Sequence, residues 1–228
     1  MSAIEEKKYL TDKYATSERM TAADLRMITA LLRSPDGCPW DREQTHESVR
    51  ENFIEETYEV VEAIDNRDPV LLCEELGDVL LQVMFHARME EERGSFTFDD
   101  VCNGTCRKLI LRHPHVFGDT EVSGTAQVLD NWDAIKQRSK SQTTATETLE
   151  SVARSLPALM RAEKLLGRAK KAGYLDAAVP DDGDSSLGAR LMRLVLEAHE
   201  SGTDAERELY EECDRMTERV RAAEQSAE

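Results

Sequence analysis

Two pairs of carboxylates are the residues of this sequence whose types and spacing best suit chemistry. Glu56 and Glu59 stand three residues apart, and Glu75 and Asp78 repeat that spacing after fifteen intervening residues. Residues three apart on a helix project from nearly the same side, so each pair would present its carboxylates together. Four carboxylates in one pocket repel each other and stay ionised when a cation lies between them. Oxygen ligands of this kind suit Mg²⁺, with Mn²⁺ as a substitute, and these ions are shared with substrate phosphates.

Helical periodicity places the two pairs on neighbouring helices. It predicts one helix over about 47–65 with an apolar face, and a second over about 70–92 that is apolar around most of its circumference. The polar residues of the second helix form one narrow stripe, which consists of Glu75, Asp78, Gln82 and His86. Pairing these helices would bring all four carboxylates into one pocket.

An acidic stripe is also the ordinary sign of a solvated helix face that forms ion pairs along the helix. The helix over 47–65 taken alone favours that interpretation, whereas the narrow stripe on the apolar helix over 70–92 favours a metal site. The residues alone leave both interpretations open. A di-iron centre is disfavoured, because it needs two Glu-x-x-His pairs on facing helices and this sequence contains one, Glu43 with His46.

Further start and stop signals complete an all-α pattern. Thr21 and Asp24 have the form of a capping box that begins a helix, and Pro35-Asp36-Gly37 ends it. Thr97-Phe98-Asp99-Asp100 begins another helix, which ends near Arg112 because a proline follows. These four helices with short connections predict an antiparallel four-helix bundle. Helices are also predicted over about 155–172 and 186–223, whereas 118–150 is weakly patterned.

Charge and composition exclude several classes of protein. Lys and Arg number 29 against 46 Asp and Glu, so the net charge of −17 argues against a nucleic-acid partner. The five cysteines show no Cys-x-x-Cys spacing, which disfavours a zinc site or a disulfide framework. The charged N-terminus lacks an apolar leader segment, and no run approaches 18 apolar residues. We therefore expect a cytoplasmic protein without a membrane partner.

The motifs as a set resemble the MazG family of nucleoside triphosphate pyrophosphohydrolases. EExxE at 55–59 followed by ExxD at 75–78 matches the family signature. The resemblance extends over about residues 20–175 through GCPWDREQT, EETYEV, EELGDVLLQV, RHPHVF and SLPALMRAEK. It implies an all-α fold, a homodimer and Mg²⁺-dependent hydrolysis of nucleoside triphosphates to monophosphate and pyrophosphate, a house-cleaning activity on the nucleotide pool.

The resemblance also implies roles for individual residues. Glu55 would orient the attacking water or act as its base, and the metal ligands would be Glu56, Glu59, Glu75 and Asp78. Residues implied in substrate binding are two base-stacking tryptophans, three phosphate-binding cations and one pocket amide: Trp40, Trp132, Lys108, Arg112, Lys136 and Gln82. Structural roles are the alternatives, because tryptophans are common buried anchors and cations are favoured at a helix C-terminus.

The two halves of the chain contain an internal repeat that bears on function. The run ELGDVL at 75–80 aligns with SLGARL at 186–191, where Ser186 and Ala189 replace the two acids. Full-length members of the resembled family carry two domains, so the second copy here is truncated and degenerate. The predicted division begins with an N-terminal extension at 1–19 and a MazG-type domain at 20–137. A polar linker follows at 138–150, and a smaller helical remnant without metal ligands occupies 151–228. The alternative function is a nucleotide-sensing or interaction module with weak or no turnover.

Overall fold

The computed structural model describes residues 2–139, 143–181 and 183–227, and all regular secondary structure in these ranges is helical. This confirms the predicted all-α fold. The helices are α1 (Ala3–Ala15), α2 (Ala22–Leu32), α3 (Pro39–Glu43), α4 (Arg50–Asp65), α5 (Pro69–Arg93), α6 (Phe98–Arg112), α7 (Pro114–Phe117), α8 (Thr125–Ser139), α9 (Ala145–Glu150), α10 (Ala158–Lys171), α11 (Leu175–Ala178), α12 (Leu187–Ser201) and α13 (Ala205–Ala227).

Local signals set the ends of α5, the longest helix of the described chain. The carboxylate of Asp68 accepts hydrogen bonds from the backbone N–H groups of Val70 and Leu71, while Pro69 occupies the first helical position. At the other end, Gly94 adopts the left-handed conformation with φ of 74° and closes the helix. These caps fix both ends of the helix that carries Glu75 and Asp78.

The described chain forms two compact units, Met1–Leu111 and Arg112–Glu228. In the first unit, α4 packs along α5, α2 packs on α5 and α1 packs on α2. In the second unit, α10 packs against α9, α11, α12 and α13. The unit boundary precedes residue 137, where the sequence pattern ends the MazG-type domain, and that domain division stays a prediction.

The N-terminal segment predicted as an extension is a helix of the first unit, where it packs on α2. Leu10 of α1 is buried, and the ammonium of Lys13 donates a hydrogen bond to the carboxylate of Asp24 over 2.8 Å. This bond is the main reason why the pKa of Asp24 is lowered, and the capping bonds from Thr21 lower it further. The ion pair therefore attaches α1 to the start of α2.

Three segments contain helices or helix breaks that the periodicity does not predict. The weakly patterned region 118–150 holds α8 and α9, and α9 begins with a capping box of Thr144 and Glu147 inside the predicted linker. The segment 186–223, predicted as one helix, is two, because Gly202 with φ of 76° ends α12. The loop before α4 contains the short helix α3. α3 and α9, with 5 and 6 residues, are too short to show a period.

Candidate functional site

The packing of α4 along α5 brings the four predicted carboxylates together. One carboxylate oxygen from each of Glu56, Glu75 and Asp78 lies within 4.8 Å of the other two. Glu59, one turn after Glu56 on α4, lies close enough that its carboxylate raises the pKa of both Glu56 and Glu75. We call these four residues the acidic cluster. The pairing that the i, i+3 spacing predicts is therefore present in the structure.

The acidic cluster carries uncompensated negative charge. Glu75 is only 9% exposed, and burial together with the neighbouring charges of Glu59, Glu74 and Asp78 raises its pKa. Burial is also the main reason why the pKa of Glu56 is raised, followed by the neighbouring carboxylate of Glu59. No lysine or arginine within the described ranges forms an ion pair with the cluster. Hard carboxylate oxygens at this spacing fit a divalent cation such as Mg²⁺.

Gln82 extends the polar stripe of α5 beyond Asp78. Its side-chain oxygen Oε1 is buried and has no hydrogen-bond partner among the described residues. A buried acceptor without a donor costs about 1–3 kcal/mol, so such groups are found where a ligand or water supplies the donor. This geometry agrees with the predicted role of Gln82 in substrate binding, which stays a prediction.

The remaining predicted residues of the first unit are accessible. Trp40 on α3 is 61% exposed, so its indole face is open to a stacking partner. Glu55 is exposed beside Glu56 on α4, and Lys108 is exposed on α6. Accessibility allows the roles that the resemblance implies for these three residues, and those roles stay predictions.

The predicted residues of the second unit contact each other in part. The guanidinium of Arg112 lies 5.2 Å from the ring centre of Trp132, so it covers one face of the indole. The Arg112 Nε atom is buried and has no hydrogen-bond partner in the described chain. Lys136 falls in α8, but its side chain lies outside the described residues. Trp132 thus has a cation partner, and its stacking on a base stays a prediction.

Comparison with known proteins identifies the family of the chain that carries the acidic cluster. Residues 44–117, which include α4 and α5, match the MazG nucleotide pyrophosphohydrolase domain. A protein of Escherichia coli (strain K12) named nucleoside triphosphate pyrophosphohydrolase is 44% identical over 152 residues, which are 65% of this chain and 58% of that protein. The chain belongs to the MazG family. Its matched region holds all four carboxylates of the acidic cluster.

Two further relatives show how much of a MazG-family protein this chain represents. The Bacillus subtilis protein YabN, named uncharacterized, is 47% identical over 162 residues, which are 71% of this chain and 31% of YabN. An uncharacterized 26.1 kDa protein of Streptomyces cacaoi is 39% identical over 202 residues, which are 88% of this chain and 82% of that protein. The chain thus spans under a third of YabN and over half of the Escherichia coli relative, but most of the Streptomyces protein.

Replacing Glu75 by glutamine in this MazG domain is expected to abolish the thermal stabilisation by Mg²⁺ without harming the metal-free fold. The raised pKa of Glu75 shows that its charge is unfavourable in the folded state, so removing that charge should leave the metal-free melting temperature unchanged or higher. Differential scanning fluorimetry with Mg²⁺, at ionic strength matched with NaCl, measures this. The control Glu51→Gln removes an exposed charge from α4 and should keep the Mg²⁺ response. A large loss of stability in the metal-free variant would contradict a metal site.

A network of two histidines and a glutamate continues the polar stripe of the MazG domain. His46 precedes α4, and its Nδ1 lies 2.7 Å from Nδ1 of His86 on α5. The other nitrogen of His46, Nε2, lies 2.6 Å from Oε1 of Glu90 and donates its proton to that carboxylate. Hydrogen bonds from His46, and then Ser95 and Arg93, lower the pKa of Glu90 to about 2. Gln82, His86 and Glu90 follow each other at steps of four residues, so the sequence places them on one face of α5. The sequence does not show that His46 contacts this face.

Lowering the pH from 7 towards 5 is expected to destabilise the first unit through His86. Burial, and then the nearby His46, lower the pKa of His86 below its ordinary 6.5. The unfolded chain therefore takes up a proton first, and stability present above pH 6.5 is lost as the pH falls through the folded-state pKa. The measurement is peptide-resolved hydrogen exchange of α5 across this pH range. The variant His86→Gln keeps an amide N–H that can donate to Nδ1 of His46 but cannot titrate, so a pH dependence equal to that of the wild type would contradict the assignment.

No helix in the described part of the MazG chain combines the length and apolar character needed to cross a membrane.

Proposed function

We propose that this chain hydrolyses nucleoside triphosphates to nucleoside monophosphate and pyrophosphate with Mg²⁺, and that it clears the nucleotide pool of unwanted triphosphates. The acidic cluster is the observation that carries the proposal. A pocket of carboxylates repels a triphosphate, so it can take such a substrate only when divalent cations bridge the two. The name of the 44% identical Escherichia coli relative supports the same reaction.

The residues of the acidic cluster would hold Mg²⁺ through their carboxylate oxygens. When bound, Mg²⁺ supplies a Lewis acid that polarises phosphate oxygens and lowers the pKa of bound water. Glu55 precedes Glu56 on α4, and its side chain is exposed. It would orient the attacking water and accept its proton.

Further groups of the first unit would bind the rest of the nucleotide. The exposed indole of Trp40 offers a stacking surface that tolerates any base. Lys108 would neutralise phosphate charge, and the unpartnered Gln82 oxygen would accept a hydrogen bond from the substrate or its water shell. For Arg112, Trp132 and Lys136 of the second unit, the family resemblance alone supports a role in substrate binding.

A homodimer is part of the proposal. Ile54, Tyr58 and Val61 follow each other at i, i+4 and i+7 on α4 and are 44%, 55% and 46% exposed. Near the end of α6, Ile110 and Leu111 are 53% and 56% exposed. Apolar stripes of this size on helices that carry the site support burial against a second copy. All five cysteines are free, which suits the reducing cytoplasm that we propose as the location.

Pyrophosphate release from a panel of canonical and damaged ribo- and deoxyribonucleoside triphosphates tests the proposal. We expect release with Mg²⁺, weaker or comparable release with Mn²⁺, and none after chelation with EDTA. Stoichiometric monophosphate should appear, because the cleavage leaves one phosphate on the nucleoside. Orthophosphate as the product would contradict the proposed bond cleavage. Nucleotide binding without turnover of any substrate would identify the chain as a sensing or interaction module instead.

A further inference from the structure

The last helix of the second unit carries an apolar stripe that no described residue covers. α13 contacts α10 and α12, yet its side chains are exposed along nearly the whole length that follows Arg207. Leu209, Met216 and Val220 are 54%, 55% and 54% exposed, and Cys213 is exposed between them. A row of exposed apolar side chains on one helix marks an interaction surface.

The stripe repeats with the period of a coiled coil. Steps of four and three residues alternate along its members, which are Leu209, Cys213, Met216, Val220 and Ala223. This is the heptad pattern, with Leu209 at a d position and Cys213 at the following a position. The middle of the opposite face is polar throughout, at Glu211, Glu218 and Gln225. A period of 3.5 residues keeps the seam on one side of two helices that wind around each other.

Residue types and flanking charges favour a second copy of α13 in the parallel orientation. Val220 at a and Leu209 at d follow the preference of two-stranded parallel coiled coils. In a parallel pair, the g residue of one helix faces the e residue five positions later on the other. Arg219 occupies g and Glu224 occupies e, so opposite charges would meet on both sides of the seam. Within one helix, Glu212 accepts a hydrogen bond from Arg219 over 2.8 Å and holds that guanidinium beside the seam.

We propose that α13 is an interaction surface that forms a parallel two-stranded coiled coil with α13 of a second copy of this chain. The seam from Leu209 to Ala223 would be buried, with the Arg219 and Glu224 pairs along its edges. This surface lies in the second unit and uses none of the residues proposed for catalysis. The inference therefore stands independently of the nucleotide activity.

Cross-linking of the full chain through Cys213 tests the proposal. Cys38, Cys73, Cys102 and Cys106 are first replaced by serine, so that Cys213 is the one remaining thiol. A short bismaleimide at low protein concentration should then join two chains efficiently. Val220→Glu puts a charge into the seam and should lower the cross-linked fraction at least about fivefold, which corresponds to roughly 1 kcal/mol. Gln225→Glu makes the same charge change on the opposite face and should leave the fraction unchanged.

Two relocated cysteines test the face and the orientation. Cys213→Ser with Glu218→Cys puts the thiol on the outer face, where we expect little cross-linking. Cys213→Ser with Leu209→Cys should cross-link in the parallel orientation, because residue 209 then faces residue 209 of the other copy. If the cysteine at position 213 cross-links two chains and the cysteine at position 209 does not, the parallel arrangement is overturned. Equal cross-linking at 213 and 218, or no effect of Val220→Glu, would overturn the coiled coil itself.

Discussion

Replacing Asp78 by asparagine is expected to lower the rate of pyrophosphate release by more than about 100-fold. A carboxylate oxygen of Asp78 lies within 4.8 Å of oxygens from both Glu56 and Glu75, so an amide at this position removes charge where the cation would bind. Even residues that only support metal ligands typically account for 10–100-fold in metal affinity or activity, and a direct ligand should account for more. The measurement is steady-state pyrophosphate release over a range of Mg²⁺ concentrations.

The design of this experiment separates a ligand from a general charge effect. The same substitution type at Glu51, an exposed residue near the start of α4, should change the rate less than about twofold. Glu59→Gln should behave like Asp78→Asn, because the carboxylate of Glu59 lies close enough to those of Glu56 and Glu75 to raise the pKa of both. If Asp78→Asn and Glu59→Gln retained the wild-type rate, the activity would belong to another site or to a contaminant.

The sequence predicts the acidic cluster well because its information is local. Two i, i+3 carboxylate pairs on consecutive helices need only an antiparallel hairpin to meet, and the turn between α4 and α5 is marked by Asp68 and Pro69. The caps at Gly94 and Thr97 define the ends of α5 and α6 in the same way. Such features depend on neighbours within a few residues, so they can be inferred before the fold is known.

Contacts between distant residues cannot be inferred in this way. His46 and His86 are 40 residues apart, and neither position carries a signal that the two imidazoles meet. The cation–π pair of Arg112 and Trp132 likewise depends on how α8 packs, in a segment whose sequence is weakly patterned. Short helices such as α3 and α9 depend on caps and tertiary contacts more than on periodicity. What the sequence leaves open is therefore mostly tertiary packing around the predicted cluster.

Arg33 holds the segment that carries Trp40 against the helix of the acidic cluster. Its guanidinium donates three hydrogen bonds to the Glu92 carboxylate, two from Nε at 3.1 and 3.2 Å and one from Nη2 at 2.9 Å. It also donates to the carbonyl oxygens of Asp41 and Gln44. It also lies over the ring of Phe85 at 5.2 Å. The Arg33 side chain is only 7% exposed, so water cannot replace these bonds easily. α2, α3 and α5 are thus joined through one side chain.

Arg33→Ala is expected to lower the free energy of unfolding of the first unit by about 2–4 kcal/mol, because it leaves two carbonyl oxygens without their charged donor and removes one of the two cations that donate to the Glu92 carboxylate. Arg88→Ala is the matched control, since Arg88 also donates to Glu92 but is 30% exposed, and such an ion pair is worth up to about 1 kcal/mol. Hydrogen exchange resolved by peptide measures the first unit separately from the second. Because α3 loses its anchor in Arg33→Ala, the KM for nucleotide should rise as well if Trp40 stacks on the base. Equal destabilisation by the two variants would show that the Glu92 ion pair, rather than the carbonyl bonds of Arg33, sets the stability of this junction.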